Sequence, residues 1–351
     1  MFKLENEVRA AFESLRCSKP ESKDDVRKIM AGRKLSNIRK HRAQLLRLQP
    51  HALSLMKRVD YADFFPTLRP VAPKDTALWI YFRRMISSAP FAVRPGRRLL
   101  YWVVDDRSGG VLGILELCSE LLVLKLRDDR IGWTRGRMLG GGLNHVGSIG
   151  TCVCVHPFGI LTGGKFIMTA ATGDGVSGDW TYKYGDRLAA LTTTSLYGRS
   201  SVYNRIKYWE YLGHTNSTGH FQIDDRTWLT IKRFMRANGL MTRKNTSSIN
   251  PTSRTDSQNL VCSKLKIDLS KYVAPQPRGI YFHARGEDAC AYLRGEKPEF
   301  TPRDMTNDRA ARWWLDRWYS MRWPKKNDEI AAFDWNRYKV DRKIEELVPE
   351  A

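Results

Sequence analysis

The sequence predicts an α/β fold of the α+β type, in which a mixed β-sheet is flanked by helices. Three patterns support this prediction: helical spacing of apolar residues in the N-terminal part, short β-branched and aromatic runs between helical stretches in the middle, and a tryptophan-rich C-terminal part. The chain has 351 residues, of which 42% are hydrophobic, so it can bury a sizeable core.

Residues 1–74 are predicted to form a basic helical region. Apolar residues recur at helical spacing over Glu5–Leu15 and Lys23–Leu48, and Ser22 followed shortly by two aspartates is typical of a helix start. The second helix carries basic residues that either contact nucleic acid or form a solvated face. These residues are Arg33, Lys34, Arg39, Lys40 and Arg42.

Residues 75–300 form the predicted core, which a linker marked by Pro66, Pro70 and Pro73 separates from the helical region. The predicted strands are Leu99–Val104, Val111–Leu117, Thr151–Val155, Leu188–Thr194 and Gly279–His283. The predicted helices are Ala77–Ile86, Gly163–Ala171, a helix over 202–208, Thr227–Ala237 and Gly286–Leu293. A polar loop is predicted over Asn245–Asn259.

Residues 301–351 are predicted to form an aromatic, basic and helical extension. Trp314 and Trp318 lie four residues apart, so on a helix they share one face. Two explanations of this face stay open. It either packs on the core or offers rings on which nucleic-acid bases stack.

The chain is strongly basic, with a formal net charge of +22 and an isoelectric point near 9.9. Such a charge attracts polyanions, which points to nucleic acid, most simply DNA, as a partner. An anionic membrane is disfavoured because the basic segments lack the bulky apolar face of an interfacial helix. The apolar runs are also too short to cross a bilayer, and the N-terminus has no secretory pattern, so we expect a cytoplasmic protein.

Metal chemistry is not predicted. None of the six cysteines forms paired CxxC motifs at zinc-finger spacing, so we expect free thiols, with Cys152 and Cys154 on one face of a strand. A metal site at these two thiols is the alternative. Arg127–Trp133 is a charged strand or turn that a surface cluster of ion pairs explains as well as a function does.

A glycine-containing segment lies between a predicted strand and a predicted helix. Glycines at this position let the backbone approach a ligand, and a helix N-terminus offers N–H groups to an anion. The spacing is not that of a P-loop. The segment therefore predicts a phosphate-binding loop at Thr162, Gly163, Gly164 and Lys165, unless it is an ordinary turn.

A hydroxyl-rich segment follows the strand that ends near Thr194. It brings Ser200, Ser201 and Tyr203 together with Arg199 and Arg205 at one strand end, where open α/β sheets bind ligands. The alternative is that the hydroxyl groups only cap the next helix.

Several short motifs follow one another in a characteristic order between residues 75 and 320. They are Leu112-Gly113, Asp129–Trp133, Leu161–Lys165, Thr192–Ser195, Gly198–Arg205, Leu212–Thr215, Arg278–Phe282 and Leu293–Glu296. This order resembles the Druantia protein A (DruA-like) family, which is found in anti-phage defence islands, mobile elements and phages. The Gly-Gly-Lys and Gly198–Arg205 segments are the most specific parts of the resemblance.

The same segments also resemble the layout of the GNAT acyltransferase fold, which Mom-type phage DNA-modifying enzymes share. In that fold the loop amides hold the pyrophosphate of an acyl-CoA, and a tyrosine after the next strand protonates the leaving thiolate. The resemblance implies that Thr162–Lys165 bind acetyl-CoA or another acyl-CoA, and that Tyr203 is the general acid.

The leading hypothesis is a GNAT-like protein of phage–host conflict that transfers an acyl group to a DNA base. Ser200 and Ser201 would polarise the acyl carbonyl, while Arg199 and Arg205 would contact phosphate. The rival hypothesis is a non-catalytic DNA-binding subunit of a defence or mobile-element system. Either protein would be expected to work with further proteins of such a system.

The charge predicts that the chain binds DNA with a steep salt dependence. Each phosphate that the protein neutralises contributes about 0.9 to the slope of log affinity against log salt. Replacing Arg39, Lys40 and Arg42 by alanine should lower both the affinity and this slope while the melting temperature stays unchanged. Fluorescence anisotropy over a salt series measures both quantities. Negligible DNA affinity at low salt would show that the prediction is wrong.

Overall fold

The computed structural model describes residues 2–16, 22–89, 91, 96–196, 198–215, 225–242, 253–272 and 277–348. The chain forms two compact units. One combines Met1–Ile29 with Thr215–Arg278, and the other combines Met30–His214 with Gly279–Ala351. The division into residues 1–74, 75–300 and 301–351, which rests on composition, stays a prediction.

A seven-stranded mixed sheet forms the centre of the larger unit, with the strand order β1-β2-β3-β4-β5-β7-β6. All neighbouring strands are antiparallel except β4 and β5, which are parallel. The strands are β1 (Pro66–Pro70), β2 (Arg98–Asp105), β3 (Val111–Ser119), β4 (Val146–Cys154), β5 (Ala190–Ser195), β6 (Glu210–His214) and β7 (Gly279–Ala284).

The helices are labelled along the described residues. They are α1 (Phe2–Arg16), α2 (Lys23–Lys40), α3 (Arg42–Met56), α4 (Thr76–Ile86), α5 (Lys125–Ile131), α6 (Arg135–Leu139), α7 (Gly163–Ala170), α8 (Asp174–Tyr184), α9 (Asp225–Ala237), α10 (Ser253–Leu265), α11 (Ala289–Arg294), α12 (Asn307–Trp314), α13 (Ser320–Ala331) and α14 (Val340–Leu347). A π-helical turn over Leu315–Tyr319 joins α12 to α13.

Both faces of the sheet are covered by helices, because the strand side chains alternate between two apolar cores. On β3, Leu115 belongs to the core that contains Phe166 of α7 and Trp314 of α12. Its neighbour Ile114 belongs to the opposite core, which contains Trp79 of α4. The α/β architecture predicted from the sequence, a mixed sheet flanked by helices, is therefore confirmed.

The smaller unit is helical in the residues described. Helices α1, α9 and α10 meet around Val8, Phe12, Ile231, Phe234 and Val261, each of which is fully buried. The predicted helix start at Ser22 is also confirmed. Its hydroxyl oxygen accepts the Asp25 N–H at 3.2 Å, and the Asp25 carboxylate accepts the Ser22 N–H at 2.9 Å.

Several local predictions were wrong. Pro66–Pro70 is not a linker but the edge strand β1, a position that tolerates proline because the edge needs fewer ladder hydrogen bonds. Residues 202–208 form turns rather than a helix. The charged segment after Lys125 is the helix α5, and 253–259 of the predicted polar loop lies in α10, while 245–252 falls outside the described residues.

In the part of the chain that the structure describes, no helix combines the length and the apolar character that a bilayer crossing requires.

Candidate functional site

The parallel strands β4 and β5 pair over only a short stretch and then diverge. The paired residues are Val146–Ile149 and Ala190–Thr193, whereas β4 continues to Cys154 and β5 ends at Ser195. The hydroxyl of Thr193 donates to the carbonyl oxygen of Ile149 at 3.2 Å, which satisfies a backbone acceptor at the point of divergence. We call this point the β4–β5 fork.

The glycine-containing loop after β4 leads into α7 as predicted. Thr162 has a left-handed backbone, with φ of 62°, and Trp314 Nε1 donates to its carbonyl oxygen at 3.2 Å. A Cβ on Gly163 would overlap the buried ring of Phe158, so only glycine fits there. A Cβ on Gly164 would lie 3.0 Å from Val202 Cγ1, a looser restriction.

The ammonium group of Lys165 holds the turn that follows β5. Its Nζ donates to the carbonyl oxygens of Ser201 at 2.8 Å and Asn204 at 2.6 Å, with a longer contact of 3.4 Å to that of Val202. It also lies 4.5 Å from the ring centroid of Trp318. Burial, reinforced by the nearby charges of three arginines, lowers the pKa of Lys165 to about 8.

Tyr203 lies at the β4–β5 fork. Its hydroxyl shares a hydrogen bond with the Thr193 side chain, and its ring meets that of Tyr281 with centroids 4.9 Å apart. Burial raises the pKa of this hydroxyl well above its ordinary value. Ser200 is tied into the same turn, since its N–H donates to the Tyr281 hydroxyl at 2.8 Å and its Oγ accepts the Val202 N–H at 3.2 Å.

A cavity of about 720 Å³ opens beside the fork and the glycine-containing loop. Among its described lining residues are six cations and no carboxylate, a composition that favours an anionic ligand. The cations are Lys34, Lys165, Arg205, Arg322, Arg337 and Lys343. The remaining wall is mainly apolar, aromatic and thiol-bearing, and includes Cys152, Cys154, His156, Trp318, Phe333 and Tyr338.

The structure separates the predicted site residues into groups. Those that line the cavity are Thr162, Gly164, Lys165, Ser201, Arg205 and Lys34. Gly163, Ser200 and Tyr203 are not among the lining residues, and they contact Phe158 or Tyr281 instead. Arg199 lies over the ring of Tyr211, with its guanidinium carbon 5.2 Å from the centroid.

The predicted basic stretch of α2 and α3 does not present a uniform surface. Arg39 and Lys40 are exposed, Arg33 is half-buried, and exposed Arg42 pairs with Asp341 at 2.8 Å. Lys34 is 8% exposed, points into the cavity wall and donates from Nζ to the Met85 carbonyl oxygen at 2.9 Å. Burial, with further contributions from Lys343 and Arg83, lowers the pKa of Lys34 to about 7.

Sequence reasoning missed the wall that the C-terminal part supplies. Arg322, Phe333, Arg337, Tyr338 and Lys343 all line the cavity although they lie far along the chain from the glycine-containing loop. The only available signal was the alternation of aromatic and basic residues after position 312. Trp314 packs in the core, as one of the two explanations predicted, whereas Trp318 covers Lys165 at the cavity.

The donor set of the cavity does not suit a metal. Cys152 and Cys154 are free thiols, and burial raises the pKa of Cys152 to about 12. No group of three His, Cys, Asp or Glu side chains that could hold a metal occurs among the residues described.

Comparison with known proteins gives one family. The family model of the Druantia protein DruA matches residues 20–295. The curated Druantia protein DruA of Escherichia coli (strain UMEA 4076-1) is 33% identical over 166 residues, which is 42% of this chain and 41% of that protein. The chain thus aligns with less than half the length of this relative. No solved structure matches the chain.

The overlap at Gly163 predicts a clear difference between two adjacent glycines. Gly163→Ala should destabilise the protein by about 1–3 kcal/mol, because the new methyl group must displace the packed ring of Phe158. Gly164→Ala is the matched control, and its smaller clash with half-exposed Val202 should be offset by the higher helix propensity of alanine. Urea unfolding measures both variants, and equal stability of the two would contradict the packing argument.

The lowered pKa of Lys34 predicts a pH-dependent stability. Because the folded pKa is about 7 and an unfolded lysine titrates near 10.4, the unfolded chain binds more protons between these values. The Lys34 contribution to stability therefore rises with pH in this window, by at most about 1.4 kcal/mol per pH unit.

The test compares urea unfolding of the wild type and Lys34→Met at pH 7, 8 and 9. The wild type should gain stability relative to the variant as the pH rises. Parallel pH profiles for the two proteins would mean that the Lys34 ammonium keeps an ordinary pKa in the folded state.

Proposed function

The chain belongs to the family of the Druantia protein DruA, and from this premise we propose that it acts on phage DNA with a phosphate-bearing cofactor bound in its cationic cavity. Membership in the family implies a role in anti-phage defence. Because the alignment covers 41% of the curated relative, the activity and the partner proteins of the whole system are part of the proposal.

The observation that supports a phosphate-bearing ligand most strongly is the charge of the cavity. Six cations line it without a carboxylate among the described lining residues, and the N-terminal turn of α7 reaches it at Gly164. Backbone N–H groups at a helix N-terminus and clustered guanidinium groups both favour phosphate. Glu346 pairs with Arg337 and Lys343 and offsets only part of this charge, so an anionic ligand is favoured over a neutral or cationic one.

The position of the cavity favours an acyl-CoA among such ligands. A strand, a glycine-containing loop, a helix and the turn after a second, parallel strand contribute to its lining, and this order of elements resembles the GNAT fold. In our proposal the backbone of Thr162–Gly164 and the side chains of Arg205 and Arg322 hold the cofactor phosphates. Lys165 contributes charge, although its N–H groups already donate to the 201–204 turn.

Acyl transfer to a DNA base is the chemistry that we propose for this ligand. The hydroxyl of Tyr203 is hydrogen-bonded to Thr193, and neither Tyr203 nor Ser200 is among the residues that line the cavity, whereas Ser201 is. If Tyr203 is the acid and Ser200 and Ser201 polarise the acyl carbonyl, Tyr203 and Ser200 must therefore move toward the cavity during the reaction.

A second candidate is a DNA-binding subunit without catalytic activity. The net charge of +22 and the exposed side chains of Arg39 and Lys40 favour it, since both attract a phosphate backbone without requiring a cofactor. The two candidates differ in a single property, which is the binding of acyl-CoA.

Isothermal titration calorimetry with acetyl-CoA provides the test. The wild type should bind, and Arg205→Gln and Arg322→Gln should each weaken binding about tenfold or more, because each removes a charged hydrogen bond to phosphate. Arg312→Gln is the matched control, since exposed Arg312 pairs with Asp308 at 2.7 Å and is not part of the cavity lining.

The alternatives give different results in the same experiment. A wild type that binds DNA but shows no heat with acetyl-CoA would support the non-catalytic subunit. An equal loss of affinity in all three arginine variants would show that acetyl-CoA responds only to net charge and is not held in the cavity.

A further inference from the structure

The cations of the cavity form two groups rather than one ring. Arg322 donates to the Ile160 carbonyl oxygen at 3.3 Å, and Arg205 follows Asn204, whose carbonyl oxygen accepts from Lys165 at 2.6 Å, so these three cations lie at the end near the glycine-containing loop. Lys34 instead experiences the charge of Lys343. We call the first group the loop end and the second, with its neighbour Arg337, the α14 end.

The α14 end has more positive than negative charge. A single carboxylate, that of Glu346, pairs with both Arg337 at 3.3 Å and Lys343. When Lys34 is protonated, the three positive charges of Lys34, Arg337 and Lys343 are therefore opposed by the one negative charge of Glu346. Lys34 lies against Met85, where its ammonium group donates to a carbonyl oxygen. Glu329, whose charge also acts on His156, is itself paired with Lys326, so this end can still accept one further anionic group.

An aromatic surface stands beside these cations. The rings of His156 and Phe333 lie with centroids 6.3 Å apart and an angle of 21° between their planes, and both residues line the cavity. Neighbouring residues support both positions, because the backbone N–H of His156 donates to the Tyr338 hydroxyl at 2.7 Å and Trp335 packs edge-on against the Phe333 ring with centroids 5.2 Å apart. Aromatic rings of this kind stack on nucleic-acid bases of any sequence.

We propose that the α14 end binds one nucleotide of the DNA substrate, with its phosphate on Arg337 and Lys343 and its base against His156 and Phe333. This inference rests on the proposed function, because it names the substrate that would face the cofactor. A base inside a duplex cannot enter a cavity of about 720 Å³ together with its paired strand. The substrate is therefore a nucleotide in a single strand or one rotated out of the duplex.

The same chemistry occurs in a second molecule, since the adenosine 3′,5′-bisphosphate part of coenzyme A also joins a base to phosphate. The test therefore has two arms. Fluorescence anisotropy measures a labelled mixed-sequence single-stranded 12-mer, and calorimetry measures acetyl-CoA and free adenosine 3′,5′-bisphosphate.

The informative variant is Arg337→Gln combined with Lys343→Gln. We expect its affinity for the 12-mer to fall at least tenfold, while its affinity for acetyl-CoA and adenosine 3′,5′-bisphosphate stays within twofold. Arg342→Gln is the matched control, because exposed Arg342 lies on the same helix, pairs with Glu345 and is not part of the cavity lining. Arg337→Gln alone changes an exposed residue and keeps the test valid if the double variant melts early.

Two results would overturn the assignment. One is an unchanged 12-mer affinity in the double variant, and the other is a tenfold loss of acetyl-CoA or adenosine 3′,5′-bisphosphate affinity with the 12-mer unaffected, which would assign this end to the cofactor. A wild type that does not bind acetyl-CoA, combined with the expected loss of 12-mer affinity, would instead refute the cofactor and support the nucleotide site.

Discussion

The early end of the pairing between β4 and β5 is the constraint on which the site depends. Once two parallel strands diverge, each leaves backbone groups that need other partners. Here the Thr193 hydroxyl supplies one of them by bonding to Ile149, and Tyr203 fills the space beside it. Beyond this point β4 stays paired with β3 but no longer with β5, and it carries Cys152 and Cys154, which form part of the cavity wall. The cavity therefore lies where β4 has lost its pairing with β5.

Lys165 connects the turn after β5 to the glycine-containing loop. Two short hydrogen bonds and one longer contact use the three donors of its ammonium group, which ties the first turn of α7 to the turn after β5. The residue that the motif offered as a phosphate ligand is thus already committed to the fold. Its charge still adds to the potential of the cavity, but a phosphate would find donors on Arg205 and Arg322 more readily.

The sequence predicts those features that depend on neighbours along the chain. The short apolar run Val111–Leu117 predicts β3, and the glycines before Phe166 predict the loop and the start of α7. Features that depend on distant partners were missed or wrong. The 202–208 segment does not form a helix, since the carbonyl oxygens of Ser201 and Asn204 accept hydrogen bonds from the Lys165 ammonium group. No local sequence pattern shows this. The position of Pro66 at a sheet edge likewise depends on β2.

The distribution of charge matters more for this site than its total. On the surface, Arg42 pairs with Asp341 and Arg312 pairs with Asp308. The aspartates therefore neutralise much of the positive potential of these two arginines. In the cavity, six cations converge without a carboxylate among the described lining residues, in a partly apolar setting that strengthens their field. The family match at residues 20–295 includes Lys34, Lys165 and Arg205 but ends before Arg322, Arg337 and Lys343. The range shared with the family thus supplies only part of the cavity lining, and the C-terminal part of the wall lies outside that range.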